Sequence, residues 1–209
     1  MRPLAELLDA DDTGAAEVRR LLAHAVNPVE VIRSDRPRGE RSLLRVQVPI
    51  GTVLGAVAYR LGGLVFDHGW LRLLGSGAPR APRDLAGWNG PTSVPRLPGA
   101  TLVADDVAGG FFAVNGTAFP GPAGGVHYFA ADDREWEDLE IDYRGLLEWA
   151  CNGDLEGFYA DTRWPDWELE MRGLGMDQGL DFEPELSVEA AARARRRVGI
   201  DALWGRVPR

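Results

Sequence analysis

Two adjacent pairs carry the residue types that hold divalent ions or move protons: Asp67-His68 and Asp105-Asp106. If the segments bearing them lie side by side, three carboxylates and an imidazole share one rim. That oxygen and nitrogen mixture suits a metal-assisted hydrolase. The spacing around them is not that of a ligand motif. Neither H-x-x-x-H nor H-x-E occurs, and the histidines are His24, His68 and His127. Turn chemistry also explains the aspartates, because an Asp side chain hydrogen-bonds the backbone two residues on. Ser76, in Gly75-Ser76-Gly77, lacks the G-x-S-x-G elbow that exposes a nucleophile. Cys151 lies between Glu148 and Asp154, and acids raise a thiol's pKa, so it reads as inert. The scattered glycines form no phosphate loop, and the chain has no lysine. No cofactor is expected.

The second chemical signal is acidity. Residues 131–170 hold 14 Asp and Glu against Arg134, Arg144 and Arg163, a local charge of −11; the total is −9, leaving +2 elsewhere. Such a surface repels phosphate backbones and steers basic proteins towards it. The candidate partner-binding residues are Asp132, Asp133, Glu135, Trp136, Glu137, Asp138, Glu140 and Asp142. Acids around an indole have the composition of an interface rim about its anchor, and equally of a solvated strand packed through a ring. Near the C-terminus Arg193, Arg195, Arg196 and Arg197 form a basic run, expected to pair with the 131–170 acids or to join two copies in a homo-oligomer.

These residues need elements to position them. Periodicity predicts helices at 4–8 and from Thr13 through Ala25, then a strand at 29–32. Residues 34–40 read as a polar loop and 44–48 as a second strand, with a helix over 52–61. The run at 64–74 reads as two short strands around Asp67-His68-Gly69. Residues 75–99, rich in Pro, Gly and Arg, form a long connection of the kind that often serves as a binding surface or lid. Strands at 101–104, 110–114, 126–129 and 136–141 make an antiparallel meander, with Gly109-Gly110 supplying turn conformations. Helices follow at 143–150 and 154–159, and Ser187 caps a last one that stops at Gly199. The expected fold is therefore α+β: a central antiparallel meander sheet flanked by helices. One domain is expected over 1–209, with its core at about 14–172 and a helical extension at about 185–209.

At 209 residues and 45% hydrophobic, the chain has enough apolar material for one large core. No stretch nears the roughly 20 apolar residues that span a bilayer. The first twelve residues meet acid too early for a secretory signal, and a lone cysteine suits a reducing compartment. A cytoplasmic protein that binds neither membrane nor nucleic acid is the expectation.

Four stretches also carry a resemblance: GGLVFDHGWLRLLGSG (62–77), LVADDVAGGFFAVN (102–115), YFAADDREWEDLEIDY (128–143) and GDLEGFYADTRW (153–164). In this order they resemble the bacterial domain-of-unknown-function 2625 family over nearly the whole chain. The order of elements over about residues 60–150 further looks like the SUKH superfamily of α+β domains. It runs from Gly-Trp-Leu-Arg at 69–72 to Tyr-x-x-Leu-Leu-x-x-Ala at 143–150. Many bacterial members of that superfamily are immunity proteins that neutralise toxins, and eukaryotic members include regulatory scaffolds. The resemblance implies a non-enzymatic binding protein whose acidic face meets a basic partner such as a toxin. The alternatives are the hydrolase at Asp67, His68, Asp105 and Asp106, and a self-associating structural protein.

Overall fold

The computed structural model of the chain describes residues 1–183 and 194–208. Nine helices and nine strands are formed among them. They are α1 (Leu4–Leu8), α2 (Thr13–Ala23), β1 (Val29–Arg33), α3 (Arg36–Val46), α4 (Val53–Arg60), β2 (Leu61–Phe66) and β3 (Leu71–Leu74). Next come α5 (Leu85–Trp88), β4 (Ala100–Asp106), β5 (Phe111–Asn115), β6 (Gly125–Phe129), β7 (Trp136–Asp142), α6 (Tyr143–Asn152) and α7 (Leu155–Phe158). The last are α8 (Trp167–Met171), β8 (Gln178–Glu183), β9 (Ala194–Gly199) and α9 (Ile200–Trp204).

The α+β expectation holds, and the meander is longer than the sequence suggested. Strands β1 to β7 form one antiparallel sheet in chain order. Two cross-strand rows define its faces, because successive side chains point to opposite sides. Leu64, Leu73, Ala104, Phe112, Tyr128 and Glu137 form one row. Val65, Arg72, Asp105, Phe111, Phe129 and Trp136 form the other. The first row is covered by helices, Trp149 of α6 reaching Phe112 and Phe158 of α7 reaching Tyr128. On the second, Trp88 of α5 stacks on Phe111 and Trp204 of α9 meets it edge-on. The sheet is thus covered on both faces, which is why β4 is buried from Leu102 onward, its Asp105 and Asp106 included.

The first face is built by capping as well as burial. Thr52, Asp142 and Asp154 each accept a hydrogen bond from a glycine N–H three residues on, starting α4, α6 and α7. Glu17 of α2 bridges Arg20 and Arg144 of α6, at 2.8 and 2.7 Å. The Arg20 hydrogen bond, opposed by burial and joined by the one from Arg144, holds the Glu17 carboxyl down at about 2. The folded value lies below the ordinary 4.5, so the stability this acid contributes is present above that pH and lost as pH falls towards 2. A carboxyl titration by NMR is expected to find Glu17 still ionised at about pH 3. A midpoint at the ordinary value would remove the clamp.

Three sequence expectations are corrected. Residues 36–46 are α3, not a loop leading to a strand: Asp35 caps it by accepting the Arg38 N–H, and Pro37 fits the first turn. The 75–99 connection is not a lid. Trp88 and Asn89 are buried, and the Asn89 amide pairs with both the C=O and the N–H of Leu102 at 2.8 Å. The C-terminal extension is not helical at 194–199, which is β9, paired with β8 along its whole length. Residues 184–193, Arg193 included, lie outside the described residues.

Candidate functional site

Asp67, His68 and Gly69 form a single tight turn between β2 and β3, all three left-handed, with φ of 49, 57 and 104°. Consecutive non-glycine residues in that region cost about 1–2 kcal/mol each, so the surroundings must hold them. The Asp67 N–H donates to the Pro28 carbonyl at 2.8 Å, and its carboxylate pairs with Arg163. The Arg163 guanidinium lies over Trp70, Tyr159 and Trp167 at 4.8, 5.1 and 4.1 Å. His68 is exposed and meets the Trp167 ring edge-on. This pair therefore latches the turn to the 159–167 segment through an ion pair and a ring cage.

Asp105 and Asp106 point to opposite faces of β4. Asp105 is fully buried between two buried guanidiniums, Arg72 at 2.6 Å and Arg83. Those two arginines also bind backbone carbonyls where the tail crosses the sheet: Arg72 at Gln178, Arg83 at Met176 at 2.7 Å. Burial pushes the Arg72 guanidinium down and Asp105 pulls it back up. Asp106, on the helical side, accepts the N–H groups of Ala108 and Gly110 and the Tyr128 hydroxyl, at 2.9, 2.8 and 2.9 Å. It is the turn former of the β4–β5 hairpin, and burial pushes its carboxyl up. Asp67, His68, Asp105 and Asp106 thus do not share a rim. Among the described residues no three His, Cys, Asp or Glu side chains are grouped to hold an ion.

The acidic segment is arranged differently. Among the described residues β7 is an edge strand, paired only with β6. Glu137, Asp138 and Glu140 are exposed along it, and Asp132, Asp133 and Glu135 are exposed in the turn before it. Asp133 accepts the Glu135 N–H, and Asp138 accepts the Glu140 N–H, each at 2.9 Å. With Glu140 left-handed at φ 56°, the strand is bent and charged, which discourages edge-to-edge aggregation. Asp142 is occupied as the cap of α6. Trp136 does not belong to the acidic surface as its anchor. It lies in the row opposite Glu137 and packs on Phe119 and Phe129, 4.9 and 5.5 Å between ring centroids.

The aromatic residue across the ladder from Glu137 is Tyr128, and Phe158 packs on it and on Trp149. Phe158, in the helix expected at 154–159, is 42% exposed.

The remaining sequence candidates are structural. Ser76 is buried, its hydroxyl within 2.6 Å of the Ser34 hydroxyl and 2.9 Å of the Leu61 carbonyl. Burial, helped by Glu148, pushes the Cys151 thiol up to about 11. Arg195 pairs with Glu170 and stacks over Trp164, Arg196 pairs with Asp181, and Arg197 binds the carbonyls of Glu170 and Gly173. The described arginines of this run thus lie on strand β9 and not on a helix, with Arg195 half-buried and Arg196 and Arg197 exposed. Among the described residues no helix is long and apolar enough to cross a membrane.

Comparison with known proteins gives one consistent result. The uncharacterised protein YbfG of Escherichia coli (strain K12) is 37% identical over 207 residues, covering 98% of this chain and 94% of its own. An uncharacterised protein of Haemophilus influenzae is 35% identical over 204 residues, covering 96% and 87%. No solved structure matches significantly. Residues 4–202 match the family described as "Protein of unknown function DUF2625", and the chain belongs to that family.

Proposed function

We propose that the protein is a non-enzymatic cytoplasmic binding domain of the immunity type, which engages a basic protein such as a toxin through the β7 face. One observation carries this reading. Glu137, Asp138 and Glu140 stand exposed on an unpaired sheet edge, continuous with exposed Asp132, Asp133 and Glu135. Buried Asp105 is paired with arginines and buried Asp106 is hydrogen-bonded inside the fold; these acids are exposed, and they set the sign of the field a partner meets. Complementary charge of this kind raises association rates and rejects wrong partners. The SUKH-like order of elements supports the choice of an immunity-type partner.

The test is affinity capture from lysate of the source cells, with the wild type and with Glu137→Arg, Asp138→Arg and Glu140→Arg combined. The wild type is expected to retain a basic protein, and the variant to lose it while melting at an unchanged temperature. Retention of the same protein by the folded variant, or none by the wild type, overturns the reading.

A further inference from the structure

Phe158 is held by its neighbours while its outer part meets solvent. Its ring contacts Trp149 edge-on at 4.9 Å, Tyr128 at 5.4 Å and Tyr159 at 4.8 Å. Behind these rings fully buried Phe112 supports Tyr128 at 4.6 Å and Trp149 at 6.0 Å. Tyr128 is pinned further by its hydroxyl on Asp106. A rigid aromatic surface of this sort loses little freedom when something binds to it.

Carboxylates frame it. Glu137 is the cross-strand neighbour of Tyr128 and is exposed, and Asp132 acts electrostatically on the Tyr128 phenol. Glu156 is exposed on α7 itself. Elsewhere the chain lays its own arginines over Trp70, Trp88, Trp164 and Trp167, and among the described residues over neither Trp136 nor Trp204. Trp88 lies under Arg96 at 3.8 Å and Arg83 at 4.6 Å, Trp164 under Arg195 at 4.1 Å, and Trp167 under Arg163 at 4.1 Å. Among the described residues no guanidinium stacks on Tyr128, Trp149 or Phe158.

We propose that the Phe158–Trp149–Tyr128 patch is the seat for an arginine side chain of the basic partner. The guanidinium lies against the rings, and the carboxylates of Glu137 and Glu156 flank it. Ring faces attract cations, and a planar guanidinium stacks where a compact, strongly hydrated ammonium does not. The acids supply charge and the rings select arginine over lysine. The inference rests on the reading of the acidic face as a binding surface and adds to it the chemistry of the side chain recognised.

Synthetic hexa-arginine and hexa-lysine, titrated calorimetrically at low salt, test it with the intact protein. The wild type is expected to bind the arginine peptide about fivefold more tightly, the ratio an exposed cation–π contact provides. Phe158→Ala and Phe158→Leu are expected to bring the two peptides to equal affinity. The leucine variant keeps the apolar bulk of the helix while removing the ring. Equal affinities in the wild type, or an arginine preference that survives in both variants, overturns the seat. Those results leave the acidic face intact, since it requires only that the Glu137, Asp138 and Glu140 reversal weaken both peptides. Failure of the wild type to bind either peptide overturns both.

Discussion

Asp105→Ala is expected to lower the unfolding free energy by about 4 kcal/mol, a large share of what a domain of this size has to lose. The carboxylate is fully buried and is the partner of two buried guanidiniums, those of Arg72 and Arg83. Removing it leaves two cations inside the protein with the backbone carbonyls of Gly175, Gln178, Asp106 and Met176 and the Trp88 ring to solvate them, and no opposite charge bonded to them. The damage should spread, because the same arginines fasten the start of β8 and the 75–99 connection to the sheet. Asp105→Asn keeps the shape and loses the charge, so a similar loss is expected if the charge is what matters. Urea unfolding followed by circular dichroism measures both. A loss under about 1 kcal/mol for either variant would show that the cluster is not the tie that its geometry indicates. The experiment also bears on the hydrolase alternative, in which Asp105 serves an ion and its loss leaves the metal-free fold unharmed.

Gly110→Ala should cost about 3 kcal/mol by a separate mechanism. A Cβ at this position falls within clash distance of both the Asp106 carboxylate and the Tyr128 hydroxyl. Neither can retreat freely: Asp106 is held by two N–H groups in the hairpin turn, and Tyr128 is packed on Phe112. Gly124→Ala is the comparison. That glycine has φ of 95° and open space around a Cβ, so only the backbone cost of about 1 kcal/mol is expected there. Thermal unfolding of the two variants separates the effects. A loss at Gly110 no larger than that at Gly124 would mean that Asp106 and Tyr128 yield to the added methyl group. The neighbouring Gly109, at φ 95°, is the residue that supplies the turn its left-handed step.

The elements legible in the sequence were those with strong local periodicity. Alternation around Asp105–Gly110 and Asp132–Arg134 placed β4 to β7, and the Leu146, Leu147, Ala150 stripe placed α6. Two elements were misread because a tertiary partner decides them. Gly39 and Pro37 make residues 34–40 look like a loop. The structure uses Gly39 for space, since a Cβ there would meet the Tyr59 carbonyl as α3 lies on α4. The Ala- and Arg-rich residues at 194–199 have helical propensity, which amounts to only a few tenths of a kcal/mol per residue. Pairing with β8, and the ion pairs of Arg195 with Glu170 and Arg196 with Asp181, outweigh it.

The candidate site divides the same way. The order of its motif stretches carried the family, and the sequence by itself also determined the α+β class and the chain segment where the negative charge is concentrated, because composition and short-range periodicity are properties of the chain. Which aspartates are buried and which are displayed was decided only by the tertiary structure. Asp105 and Asp132 are the same residue type in similar hairpin contexts, yet one is enclosed by two arginines and the other meets water. Trp136 packs on Phe119 and Phe129 while Phe158 meets solvent for the same reason. Whether a ring is an anchor or part of the core depends on which sheet face it lies on and what covers that face, and the helices and tail that cover it come from distant parts of the chain.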